Sequence, residues 1–213
     1  MSGHSKSKIE RIKNYWLNRE PTQECIDLSK YKYVLFDGTY FHKNGCLICL
    51  KDSISHRIIG SIYATRESYE IVHPWFKELR AQGLVIQYIA MDGERSIMRA
   101  VKDVWPQCKI QRCLYHIQRE GMRWLRTYPK TLAGQQLRRL LSTLSAMRTV
   151  HDKELFVARF KAWHKEHYAH IRSLPSSTIA YRDLKKTMTL IENALPDMFR
   201  FLNTSIYHQQ RIL

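Results

Sequence analysis

Residues 33–42 read YVLFDGTYFH. The run Tyr33-Val34-Leu35-Phe36 has the composition of a buried β-strand, and it stops on a carboxylate, Asp37, followed by Gly38. Asp-Gly is a common turn pair, so one reading is a plain turn. The other is a metal ligand held at the mouth of a strand. A single occurrence leaves both open.

The first strand candidate is KYVLFDGTYF at 32–41, and two more apolar segments stand close by, GCLICLKD at 45–52 and RIIGSIYATR at 57–66. The intervening HKNG and SISH are too short to hold a crossover helix, so the three segments are expected to form an antiparallel meander. A helix is predicted over residues 68–82, because Ile71, Trp75, Phe76 and Leu79 share a face and Gly83 follows its end. LVIQYIAMDG (84–93) is again a strand, and its place after a helix suits a strand returned parallel to the first. ERSIMRAVKDVW (94–105) reads as a helix closed by Pro106, QCKIQRC as a short strand, and LYHIQREGMRWLR as a basic helix. The order β-β-β-α-β-α-β-α predicts an α/β fold built on a ribonuclease H-like mixed sheet. This core is expected over residues 31–127. Residues 128–213 are helical in period and rich in Lys and Arg, and no strand is expected there.

Residues 1–30 read as a separate N-terminal helical segment. Ile9, Ile12 and Trp16 fall on one face of a helix, while Lys6, Lys8, Arg11 and Lys13 occupy the other. That is the look of the turn and second helix of a helix-turn-helix, and equally of a solvated basic helix. Pro21 breaks the connector that follows.

The 213 residues carry a formal net charge of +16 and are 44% hydrophobic, enough for a real core. With a pI near 9.8, the expected partner is a polyanion, with nucleic acid the default. No apolar run approaches the roughly 20 residues that span a bilayer, so no membrane is expected. The five cysteines, an odd number with no export signal, favour a reducing cytosolic compartment over a disulfide scaffold. Cys46 and Cys49 sit three apart on a strand, so they face opposite sides of the sheet and suit packing better than a shared metal.

The second strand that ends in Asp-Gly, at Asp92-Gly93, gives Asp37 a partner. If the first and fourth strands are parallel neighbours, Asp37 and Asp92 stand side by side at their C-terminal ends. Paired carboxylates repel unless a cation lies between them. Mg²⁺ or Mn²⁺ removes that cost, and two such ions about 3.5–4 Å apart serve phosphodiester chemistry. Two plain turns remain the alternative on pattern alone.

These residues carry a family resemblance. VLFDGTYF, then AMDGERSIMRAVKDVWPQCKIQRCLYHIQRE, resemble the mutator-type (MULE-like) DDE transposases, which include many bacterial insertion-sequence enzymes. Asp37-Gly38-Thr39-Tyr40 matches the first motif, Asp92-Gly93 the second, and Cys113-Leu-Tyr-His116, preceded by Gln111-Arg112, a characteristic Cys-x-x-His pair. Residues 31–125 carry the likeness, and the helical region resembles the insertion this family places before its third acid. The resemblance implies two divalent ions held by Asp37, Asp92 and a third carboxylate. It implies hydrolysis at transposon ends, attack of the freed 3′-hydroxyl on target DNA, and a homo-oligomer that pairs two ends in the nucleoid. Gly38, Thr39 and Gly93 are expected to shape the site, with Cys113 and His116 as support or substrate contact. Arg112, Arg119 and Arg123 are expected to join the basic residues of the first helix on DNA.

The family's third acid lies in a Thr-Asn-x-x-Glu-like segment, and no such segment occurs. Glu154, Glu166 and Glu192 all fall inside amphipathic helices, where a solvated face is the simpler role. The expectation is therefore a chain that stops before its third acid, as an incomplete copy. A DNA-binding remnant without activity is the alternative. A haloacid-dehalogenase-like phosphatase is the weaker rival, since its Asp-x-Asp-Gly-Thr is missing one aspartate here and its helix should follow directly. Zinc at Cys113, His116 and Cys108 would still need a fourth ligand. Trp124 and Trp163 lie among basic residues, where either DNA stacking or core packing fits.

Overall fold

The computed structural model describes residues 5–17, 26–41 and 45–203. The side chain of Trp16, the connector through Pro21, the centre of the HKNG turn and the segment from Thr204 onward lie outside the described residues.

Strands β1 (Tyr33–Tyr40), β2 (Cys46–Asp52) and β3 (Ile58–Ala64) form the meander, with both pairings antiparallel. Helix α2 (Tyr69–Ala81) then carries the chain to β4 (Tyr88–Met91), and α3 (Arg95–Val104) carries it on to β5 (Lys109–Arg112). Both of these strands are parallel to their neighbours, giving one mixed five-stranded sheet in the order β3-β2-β1-β4-β5. Connection length explains the pattern. Tight links force antiparallel neighbours, and a helical crossover returns the chain in the same direction.

The apolar run ends at Asp37, but the strand itself runs on to Tyr40, as the strand candidate at 32–41 expects, because β2 pairs along its whole length, with Asp37 opposite Cys49 and Tyr40 opposite Cys46. Only the parallel partner stops early, with Leu35 opposite Ala90 as its last pair. Asp37-Gly38 is therefore strand, not turn. The fourth strand is shorter than the apolar run that contains it. Leu84 and Ile86 are buried ahead of it rather than in it.

Alternation sets the core of the sheet. Val34, Phe36, Ile48, Leu50 and Ile89 point inward, and α2 and α3 cover them with Val72, Phe76, Ile97 and Val101. Phe36 meets Phe76 edge-on at 5.9 Å between ring centroids. Trp105, buried just past α3, donates its indole N–H to the Leu84 carbonyl at 2.9 Å, satisfying the polar end of a large buried ring. Each such fully buried side chain stabilises the fold by about 1.5–3 kcal/mol before entropy is counted. Cys46 is buried while Cys49 is half-buried on the other face, as expected of strand neighbours three apart.

A second core is all helical. Helices α4 (Leu114–Leu125), α5 (Leu132–Ser142), α6 (Val150–Ser173) and α7 (Ile179–Ala194) close around Ile117, Leu137, Leu141, Phe156, Phe160 and Ile191. Trp163 belongs to this core. It is only 5% exposed and its indole N–H bonds the Ala133 carbonyl at 2.9 Å, so it is no stacking platform for bases. After α7 the chain returns to the sheet. The Arg112 backbone N–H donates to the Asp197 carbonyl at 3.1 Å. The Gln111 side chain donates to the Met198 carbonyl at 2.8 Å and accepts from the Phe201 N–H at 3.0 Å. The helical region is thus an excursion that leaves from β5 and is clipped back onto it.

Candidate active site

Register places the two aspartates. Asp37 stands two residues past Leu35 and Asp92 two past Ala90, and Leu35 pairs with Ala90. Both carboxylates therefore emerge at one level, beyond the C-terminal end of the parallel pair. They line a single cleft of about 620 Å³ together with Thr39, Glu67, Glu94, Arg112, His116 and Arg119. Leu190 of α7 closes one side, so both cores contribute walls.

The two Asp-Gly pairs turn out to be different objects. Asp92-Gly93 is a true turn. The Asp92 carboxylate accepts the Glu94 N–H at 3.0 Å, and Gly93 sits at φ +96°, where a side chain would be strained. A Cβ there would also collide with the Arg112 side chain. Arg112 is 8% exposed and donates Nε–H to the Asp92 carbonyl at 3.0 Å. Gly93 thereby brings a buried guanidinium against the backbone of the second aspartate. Gly38, within its strand, is bare for another reason. A Cβ on it would strike the carboxyl group of Glu67.

Glu67, in the link from β3 to α2, was not singled out by sequence reading. Burial first, and then the charges of Asp92, Asp37 and Glu94, push its carboxyl from the ordinary 4.5 up to about 7, against a smaller opposing pull from His116. Its backbone N–H donates to the Tyr40 hydroxyl at 3.2 Å. An acidic residue next to the helix-capping Ser68 was the only local signal. The closeness of Glu67 to Asp37 is a tertiary fact.

Cys113 and His116 open α4 on the cleft side. Burial acts to raise the Cys113 thiol, yet the His116 ring, the backbone N–H groups and the imidazole charge together bring it below its usual range. The Cys113 sulfur raises His116 in turn, against burial, with Asp37 and Asp92 adding to the rise. The His116 Nδ1 is buried without a hydrogen-bond partner among the described residues. Cys108 does not join them as a ligand. It is fully buried, and desolvation takes its thiol up to about 12. Among the described residues no three or more His, Cys, Asp or Glu side chains close tightly enough to cage a metal as they stand.

Of the predicted DNA-contacting residues, Arg112 and Arg119 line the cleft. Arg123 is instead paired with Glu120 at 2.6 Å. Lys6, Lys8, Arg11 and Lys13 are all exposed on α1 (Lys6–Leu17), away from the cleft lining. Glu154, Glu166 and Glu192 are exposed and none reaches the cleft.

The model of the transposase family described as "Transposase, Mutator family" matches residues 5–191. The chain belongs to the Mutator family of transposases. No curated protein matches it closely enough to count as a relative. Membership accounts for the charge: a transposase works on DNA, and +16 on 213 residues suits a polyanion. Among the described residues no helix is long and apolar enough to cross a membrane.

Proposed function

We propose that this Mutator-family transposase is a DDE enzyme with a ribonuclease H-like core, using Asp37 and Asp92 to hold divalent metal for cleavage and strand transfer of transposon DNA. The observation that carries the reading is the register. Both aspartates leave neighbouring parallel strands at one level and enter one cleft. The strand order β3-β2-β1-β4-β5, with its antiparallel meander and parallel additions, supports the ribonuclease H-like assignment.

The residues suit Mg²⁺ or Mn²⁺. Carboxylate oxygens are the preferred donors of these hard cations, and Asp37, Glu67, Asp92 and Glu94 bring such oxygens to the one cleft. When bound, such ions activate an attacking oxygen and stabilise a leaving one. The chain's own groups supply the rest. Asp37 and Asp92 fix where a phosphodiester can sit. Arg112, held by the Asp92 carbonyl, and Arg119 offer guanidinium donors to its non-bridging oxygens. The exposed basic face of α1 adds backbone contacts to DNA, and work on paired transposon ends calls for more than one copy.

The test is Mn²⁺-dependent strand transfer on DNA carrying the element's ends. Asp37→Ala and Asp92→Ala should each abolish transfer while leaving DNA retention in a mobility-shift assay within about twofold, the retention being mainly a backbone-charge effect. Transfer that survives either substitution sinks the metal-pair reading. DNA retention without any metal-dependent transfer by the unaltered chain favours the non-catalytic DNA-binding reading.

A further inference from the structure

We propose that Glu67 is a third carboxylate ligand of the Asp37–Asp92 site, delivered to the divalent cation from the link between β3 and α2. The inference rests on the metal-site reading above and adds to it a residue that lies outside every motif of the chain.

Three independent features of the fold place Glu67 there. It lines the same cleft as Asp37 and Asp92. The first motif is built to receive it from both sides. Gly38 leaves open the space its carboxyl group occupies, which any Cβ would invade, and the Tyr40 hydroxyl accepts its backbone N–H at 3.2 Å. Asp37-Gly38-Thr39-Tyr40 therefore supplies one acid and seats another. Lastly, the carboxylate is half-buried. Among the described residues no Lys, Arg or His side chain forms an ion pair with it. A half-buried acid with no cationic partner is costly, and a divalent cation that drew the three carboxylates of the cleft together would relieve that cost.

Glu120 is the control. It lines the same cleft, but its carboxylate is taken by Arg123. Calorimetric Mn²⁺ titration of the chain should show binding that Asp37→Asn abolishes. Glu67→Gln should weaken binding about tenfold or more, while Glu120→Gln stays within about twofold. Gly38→Ala should reproduce the Glu67→Gln loss, because its Cβ turns the flexible carboxylate out without disturbing the strand. Melting of metal-free Glu67→Gln should match or exceed that of the unaltered chain, while its Mn²⁺-induced rise shrinks, which separates lost ligation from lost folding. Glu67→Gln that binds Mn²⁺ as tightly as the unaltered chain, with Asp37→Asn inactive in binding, overturns the Glu67 assignment and leaves the aspartate pair standing. Equal weakening by Glu67→Gln and Glu120→Gln also overturns it, since net charge alone would then explain the loss. An unaltered chain that binds no Mn²⁺ removes both readings together.

Discussion

Glu67 ties the chemistry of the cleft to the stability of the protein. Its carboxyl is raised from the ordinary 4.5 to about 7, by burial first and by its acidic neighbours second. Between those values the folded chain holds a proton that the unfolded chain has released. The folded state binds more protons, so stability falls as pH rises through this window and levels off above it. Melting temperature in metal-free buffer should therefore drop from pH 5 to pH 8, and Glu67→Gln should flatten that part of the profile. An unchanged slope would mean that another group carries the dependence. Gly93 is the other residue whose identity is dictated by its surroundings. With φ at +96° and the Arg112 side chain where a Cβ would go, Gly93→Ala should cost about 1–3 kcal/mol in urea unfolding. It should also displace the guanidinium from the Asp92 carbonyl.

Among the elements, β5 carries more than its four residues suggest. It is the outer strand on its side of the sheet, and an open edge invites wrong pairing. Here the returning chain covers it. Gln111, 4% exposed, spends its side chain on the Met198 carbonyl and the Phe201 N–H. Gln111→Leu keeps the size and removes these bonds together with the one the side chain donates to the Arg112 carbonyl, leaving the buried Met198 carbonyl without its Gln111 donor. The expected loss is about 1–3 kcal/mol, with faster hydrogen exchange at the Phe201 amide. Unchanged exchange there would show that the clip holds without Gln111. Strand β1 makes the complementary point. Its paired length is set by β2, so a residue that reads as a turn is held extended and its carboxylate is aimed into the cleft.

At the scale of the whole molecule, two hydrophobic cores share one cleft. The sheet provides Asp37 and Asp92, and the helical excursion provides His116, Arg119 and Leu190. Positive charge is spread widely: α1 is exposed along its described side chains, and two arginines reach the cleft. DNA affinity should therefore fall steeply with salt, by about 0.9 log units per phosphate contact for each tenfold rise in salt. Lys13→Gln and Arg119→Gln should each reduce the magnitude of that slope by about one if the residue meets a phosphate. A slope unchanged by Lys13→Gln would remove α1 from the DNA-binding surface.

The sequence by itself determined which segments are strands and helices, since alternation and helical period are local properties read directly from residue order. It also pointed to β1 and β4 as parallel neighbours, because short links and helical crossovers allow few topologies. Likewise it marked Cys46 and Cys49 as strand neighbours on opposite faces. Two things were decided only in three dimensions. Trp163 became core because α5 offers a carbonyl to its indole, a contact across thirty positions. Glu67 entered the cleft because Gly38 leaves room and Tyr40 holds its backbone. A carboxylate's role is set by the charges around it, and those charges meet only when the chain has folded.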